Sequence, residues 1–357
     1  MQRVKMADIA RAAGVSTMTM SRALRQDGRI APETRRKIQR LVREFGYVPD
    51  RIAASFSSRR SGFVGVLVPS LNNTHFAETA AGLQNALHPA GLQMLLGYTN
   101  YNKAQAEQLI ETMLERRPEA MVVTYDDHTP RARRLLVEAG IPVIEIWEIP
   151  PKPIGHVVGF SNRRAAAAMT THLVDLGRRR IAFIGESDDG GTRGAQRRAG
   201  FLDALRAARL DTRRLLAAAP PPIGMMQGRE AMAALLAQFP DTDAVLCVSD
   251  PCAYGAVSAC LLAGISVPDD VAIAGFGNFE ISLCSVPSIS TVTISGLAIG
   301  AEAGGLILRL LKGGSDDGNH SAQTILVDTG ISVRGSTLQP TTTAKTVRQP
   351  RPQRRHR

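Results

Sequence analysis

The chain has 357 residues, 44% hydrophobic but only 4% aromatic, with a formal net charge of +11. That length allows two or three domains with sizeable cores, and the absence of a long uninterrupted apolar run excludes a transmembrane helix. The charge is polarised: residues 1–60 hold fourteen Lys or Arg against five Asp or Glu, and residues 341–357 hold six against none, which leaves the centre mildly acidic. A basic head on an acidic body marks a dedicated nucleic-acid module. Cys247, Cys252, Cys260 and Cys284 have no CxxC spacing and read as reduced core thiols of a cytoplasmic protein. The first residues carry no apolar signal region, and neither a metal nor a cofactor is expected.

Two short helical patterns open the chain and meet at Gly14-Val15-Ser16. The first places Met6, Ile9, Ala10 and Ala13 on its apolar face; the second uses Val15, Met18, Met20, Ala23 and Leu24. Ser16 is a natural N-cap and Gly14 supplies the positive φ of a sharp turn. This is a helix-turn-helix, whose second helix enters the major groove of DNA. A third helix starts at Pro32, carries Ile38, Leu41, Val42 and Phe45 at helical spacing, and stops at Gly46. Residues 48–61 read as a basic linker holding one more short helix, Arg51 to Ser58.

From Gly62 the period changes. Strands at 63–68, 92–97, 120–124, 142–147 and 156–159 alternate with helices at about 75–90, 103–116, 130–139 and 162–176. A second run follows, with strands at 180–184, 244–248 and 271–275 among helices at 193–209, 226–238 and 251–263. Strand 289–293, helix 295–311 and strand 323–328 close the pattern. Such alternation means parallel sheets with right-handed crossovers. The expected fold class is a small all-α helix-turn-helix head plus an α/β core of two parallel-sheet subdomains. The expected boundaries are a DNA-binding domain at 1–47, a hinge at 48–61, and a core at 62–337 for effector binding and dimerisation. Within the core, an N-subdomain takes about 62–160 and 290–322, and a C-subdomain about 161–289 and 323–337. The Thr-, Pro- and Arg-rich stretch at 338–357 reads as a disordered basic tail.

Several phrases carry a resemblance to a known family. Met6-Ala7-Asp8-Ile9-Ala10, Gly14-Val15-Ser16, Ser21-Arg22-Ala23-Leu24, Gly46-Tyr47-Val48-Pro49, Val267-Pro268-Asp269-Asp270-Val271-Ala272 and Pro287-Ser288-Ile289-Ser290-Thr291 resemble the lactose- and galactose-repressor (LacI-type) family of bacterial transcription regulators. Val68-Pro69-Ser70-Leu71, His128-Thr129-Pro130-Arg131 and Val158-Gly159-Phe160-Ser161-Asn162 are similar to the family's gluconate-utilisation repressors. The resemblance implies a periplasmic-binding-protein-like core. It also implies a homodimer that binds double-stranded operator DNA under control of a small effector, a sugar acid such as gluconate, with no membrane partner.

At the exposed front of the recognition helix, Thr17, Met18, Ser21 and Arg22 face base edges; Arg22 can pair bidentately with guanine. Lys5, Ser16, Thr19 and Arg25 suit phosphates, which orient the module without reading sequence. Packing of Met18 in the small core, or use of Arg22 as a phosphate clamp, are the alternatives. The resemblance further implies a hinge in which Ala53 gives close backbone approach to the minor groove and Phe56 wedges into the central base step, or packs against a partner hinge.

Parallel sheets bind ligands at their strand C-termini. The loops there nominate Ser70, Asn73, Phe76, Tyr101, Tyr125 and Trp147 from the first subdomain, and Asn162, Arg193, Arg197, Asp250 and Asn278 from the second. Hydroxyls need the Ser, Asn and Asp groups, and a carboxylate needs Arg193 or Arg197 in fork geometry. Phe76 and Trp147 are equally consistent with core, Asp250 with an N-cap, and one of the arginines with open surface. By the resemblance, many relatives carry Asp at the position of Gly277; its absence favours an acid. A sugar-binding receptor is disfavoured by the basic head. A nucleotide-dependent enzyme is disfavoured by the lack of GxGxxG after a strand, of GxxxxGK[ST] and of GxSxG.

Overall fold

A computed structural model of the chain describes residues 4–24, 29–47, 61–125, 128–187, 193–312 and 321–338. It divides into two compact units, residues 1–62 with 116–119, and residues 63–115 with 120–357. The expected hinge helix, Arg25, Ala53, Phe56 and the tail from 339 onward lie outside the described residues.

The smaller unit holds α1 (Met6–Ala13), α2 (Thr17–Leu24) and α3 (Pro32–Glu44). Ile9, Ala10, Ala13, Met20, Ala23 and Ile38 make its core. Gly14 ends α1 at φ +71°, and the Val15 amide donates to the Ala10 carbonyl at 3.0 Å, so the chain reverses within one turn. Of the two methionines on α2, Met20 is fully buried, while Met18 stands 63% exposed.

The larger unit contains two six-stranded sheets. The first is built from β1 (Phe63–Val68), β2 (Gln93–Tyr98), β3 (Met121–Thr124), β4 (Val143–Ile146), β5 (His156–Gly159) and a late strand, β11 (Thr324–Leu326). They run in the order β11-β5-β4-β3-β1-β2, all parallel. Between them run α4 (Thr74–Leu87), α5 (Lys103–Glu115) and α6 (Pro130–Glu138). The second sheet is built from β6 (Ile181–Glu186), β7 (Leu215–Ala219), β8 (Ala244–Cys247), β9 (Ala272–Gly277), β10 (Ser290–Thr293) and β12 (Gly330–Ser332). Their order is β12-β10-β9-β8-β6-β7, parallel except that β12 runs antiparallel to β10. This lobe carries α7 (Asn162–Asp175), α8 (Arg193–Ala207), α9 (Met225–Gln238), α10 (Asp250–Leu262) and the short α11 (Glu280–Cys284); α12 (Gly296–Lys312) returns to pack on α4 of the first lobe. Central strands such as β3 and β8 are buried on both faces, which explains their unbroken apolar runs.

Two assignments change. The strand at 290–293, expected with the first subdomain, pairs with β9 in the second sheet, and the strand at 324–326, expected with the second, pairs with β5 in the first. An apolar run reports burial but not which of two similar sheets supplies the neighbour. Strands β7 and β12 and helix α11 were not expected: β7 is a half-exposed edge strand, Leu-Leu-Ala-Ala-Ala, without β-branched residues, and β12 has only three residues. The chain therefore crosses between lobes three times, after β5, after β10 and after β11.

Helices α4 and α12 meet backbone to backbone. A Cβ on Gly82 would stand 2.3 Å from the Leu297 carbonyl oxygen, and one on Gly300 only 2.1 Å from that of Thr79. The contact runs on to the first turn of α4, where a Cβ on Gly296 would stand 2.5 Å from the His75 carbonyl oxygen.

Candidate functional site

On the smaller unit, Thr17, Met18 and Arg22 are exposed along α2, with Ser21 half-buried beside them. Ser16 caps this helix: its Oγ accepts from the Thr19 amide at 3.1 Å and lies 2.9 Å from Thr19 Oγ1. Lys5 is exposed at the start of α1, its backbone amide donating to the Asp8 carboxylate at 3.0 Å. One short helix thus presents a hydroxyl, a thioether and a guanidinium to solvent.

In the larger unit, strand order reverses beside β1 in one sheet and beside β6 in the other, the places where parallel sheets open a crevice. A cavity of about 330 Å³ lies there between the lobes. Of the nominated residues, Ser70, Asn73, Phe76, Tyr101, Trp147, Arg193 and Arg197 line it. Helix caps explain how the loops are held: Asn73 Oδ1 accepts from the His75 amide at 3.0 Å, and Ser249 Oγ from Cys252 at 3.4 Å. Tyr101, in the loop after β2, and Trp147, directly after β4, adopt left-handed backbone, φ 58° and 76°. Strained non-glycine residues of this kind gather at ligand sites.

The aromatic side of the cavity is fixed by ring packing, edge-on between Trp147 and Phe76 and tilted between Trp147 and His75. Trp147 meets Phe76 and His75 with centroids 5.5 Å apart in each case, and its Nε1 donates to Thr79 Oγ1 at 3.2 Å. Across from it stand the two arginines. Arg197 donates from Nε to Asn162 Oδ1 at 2.8 Å and from Nη1 to the Val248 carbonyl at 2.7 Å, and its guanidinium sits 3.8 Å from the Phe276 ring centroid. Burial and the nearby Arg193 charge push it down to about 10, so it stays cationic at neutral pH. Arg193, at the start of α8 in the second lobe, reaches across to the first: Nη1 donates to the Tyr125 carbonyl at 3.2 Å, and the guanidinium lies 5.4 Å from the Phe76 ring centroid.

The other four nominees stand behind the lining. Asn162 is fully buried and holds Arg197; its Nδ2 donates to the Trp147 carbonyl at 3.0 Å and to Glu148 Oε2 at 2.8 Å. Burial raises the Glu148 carboxyl above its ordinary range. Tyr125 contributes its carbonyl to Arg193. Asp250 is turned into the second lobe, accepting from the Phe279 amide at 2.7 Å and from Thr291 Oγ1 at 2.6 Å, and burial raises it to about 6. Asn278 accepts from Arg334 Nη2 at 2.5 Å.

Sequence reasoning missed His75, Glu186, Phe279 and the segment Pro222-Ile223-Gly224-Met225, all of which line the cavity. Glu186 is the last residue of β6, so the strand-end rule would have found it had that strand been carried two residues further. The 222–225 segment follows β7, the edge strand that was not expected. Nothing in the pattern distinguished His75 from any helical residue after a cap.

Comparison with known proteins gives a consistent result. The family model described as bacterial regulatory proteins, lacI family, matches residues 5–50, and the periplasmic binding protein-like domain matches residues 170–337. The chain is 37% identical to the HTH-type transcriptional regulator GntR of Pseudomonas aeruginosa, over 86% of this chain and 89% of that protein. It is 32% identical to the HTH-type transcriptional regulator IdnR of Escherichia coli, over 94% and 99%. The crystal structure of a LacI family transcriptional regulator from Silicibacter pomeroyi shares 50% identity at a TM-score of 0.73, covering 77% of this chain and 98% of that one.

Proposed function

Because the chain belongs to the lacI family of bacterial regulatory proteins, and so is a DNA-binding transcriptional regulator rather than an enzyme, we propose that it is a cytoplasmic, homodimeric repressor of sugar-acid utilisation whose effector is an unphosphorylated aldonate such as gluconate. The observation that carries this reading is the pair Arg193 and Arg197 facing one cavity otherwise lined by hydroxyl, amide and aromatic groups. Guanidinium takes carboxylate in fork geometry, and Ser70, Asn73 and Ser249 suit the hydroxyls of the chain behind it. Charge narrows the class. Glu186 is the only carboxylate among the described lining residues, so the wall carries one net positive charge. That balances one carboxylate and not an added phosphate dianion. Effector bound between the lobes then alters their relative disposition, and with it the free energy of holding two heads on an operator.

The test is titration of the full chain with D-gluconate, L-idonate and 6-phosphogluconate, followed by Trp147 fluorescence and by release or tightening on operator DNA. Saturable binding of an unphosphorylated acid that changes operator affinity is expected. Binding only of neutral sugars, or preference for the phosphorylated acid, overturns the reading.

For the head, Arg22→Ala is expected to weaken operator binding about 10- to 100-fold, the range for losing a bidentate base contact. Non-specific DNA loses far less. Anisotropy titrations on both DNAs measure the difference, and equal losses would make Arg22 a phosphate contact.

A further inference from the structure

Glu186 puts a carboxylate into a cavity that also holds two arginines. It is the last residue of β6, and the ladder with β7 slips at that point: Gly185 pairs with Ala217, but Glu186 pairs with Ala219. Irregularities of this kind bend a strand locally and re-aim a side chain, and they gather beside functional sites.

Gly194 supplies the second observation. A Cβ built on it would fall 2.1 Å from Glu186 Oε2 and 2.7 Å from Oε1, so the carboxylate rests directly on this glycine in the first turn of α8. Any larger residue at 194 would displace it. Arg193 precedes the glycine and Arg197 follows one turn later on the same helix face, and all four residues line the cavity. The start of a helix favours negative charge. Two guanidinium groups and the first turn of α8 together attract more than one anion. Glu186 is already present as one of them, and its charge helps to hold Arg197 protonated.

We propose that Glu186 is the specificity-determining residue of this cavity: its carboxylate is a resident anion that fills one of two anion positions offered by Arg193, Arg197 and the start of α8, leaving a single position for the carboxylate of the effector. The proposal rests on the sugar-acid reading above. An acid with a second anionic group, a dicarboxylate or a phosphorylated acid, meets a fixed negative charge where it needs a cation. Like charges brought together in a partly desolvated site discriminate strongly against the wrong ligand. The single carboxylate of an aldonate keeps a guanidinium partner.

The experiment is calorimetric titration of full-length wild type, Glu186→Gln, Glu186→Ser and Glu186→Asp with D-gluconate, D-glucarate and 6-phosphogluconate, alongside thermal melts that show which variants fold. Loss of the charge in Glu186→Gln or Glu186→Ser is expected to raise affinity for glucarate and 6-phosphogluconate, relative to gluconate, by about tenfold or more. Glu186→Asp, which keeps the charge, stays close to the wild-type ratios. A smaller change in those ratios in the uncharged variants, or an equal rise in Glu186→Asp, overturns the proposal. A parallel loss for all three acids makes Glu186 a hydrogen-bonding or packing residue and overturns it too. If the wild type binds none of the acids, the sugar-acid reading fails. Glu186 is then judged by the same variants on glucose and glucose 6-phosphate, where a ratio unchanged by loss of the charge, or no binding at all, overturns it as well.

Discussion

Gly300→Ala lowers the stability of the protein by about 2–4 kcal/mol, whereas Gly305→Ala on the same helix is neutral or stabilising by up to about 1 kcal/mol. The two changes are chemically identical, and intrinsic propensity favours alanine in both. Packing separates them. A Cβ on Gly300 meets the Thr79 carbonyl oxygen at 2.1 Å and the Leu83 amide nitrogen at 2.8 Å, backbone atoms that cannot swing aside. On Gly305 it meets only the Arg309 guanidinium, at 3.5 Å. Thermal melts should show Gly300→Ala down by roughly 4–16 °C, at 2–4 °C per kcal/mol for a domain of this size. Levering α12 off α4 also moves Thr79, whose hydroxyl donates to the His75 carbonyl at 2.8 Å and accepts from Trp147 Nε1. The emission of the sole tryptophan therefore shifts in Gly300→Ala and holds in Gly305→Ala. Matching melts for the two variants would mean that the helices separate more readily than their contact allows.

Arg197→Leu removes measurable response to the sugar acid, an affinity loss of about 100-fold or more. A charge-assisted fork to a carboxylate inside a partly desolvated cavity contributes about 3 kcal/mol or more, and each 1.4 kcal/mol is tenfold in affinity. Arg197→Lys keeps the charge but not the planar fork, and cannot serve Asn162, Val248 and a ligand together. It should recover no more than a tenth of the affinity. Operator binding by the unliganded protein stays intact in both variants, because Arg197 lies in the larger unit and α2 in the smaller. Calorimetry with D-gluconate and anisotropy on operator DNA check the two halves. Full binding by Arg197→Leu would shift the carboxylate to Arg193 alone.

The helical head was legible almost to the residue, because a cap at Ser16, a glycine at 14 and apolar residues at helical spacing act locally and leave one solution. Much of the cavity was legible too: strand C-termini point at it, and seven of the nominated residues reach it. What stayed hidden was set by distant partners. The apolar runs at 290–293 and 324–326 looked alike, and only the neighbouring strand decides which sheet takes each. Asn162 and Asp250 sit at helix starts beside the cavity, yet each turns inward because a buried partner, Glu148 or Thr291, captures it.

The triple crossing has a consequence for how the molecule is made. A ribosome delivers the first five strands of the first sheet early, but its outer strand β11 and its packing helix α12 emerge only after nearly all of the second lobe. Until then one edge of that sheet and the glycine-notched face of α4 stand open to the nascent chain's surroundings. Neither lobe can be lifted out as a continuous stretch of message, and a premature stop before Thr324 leaves both sheets short of an edge strand.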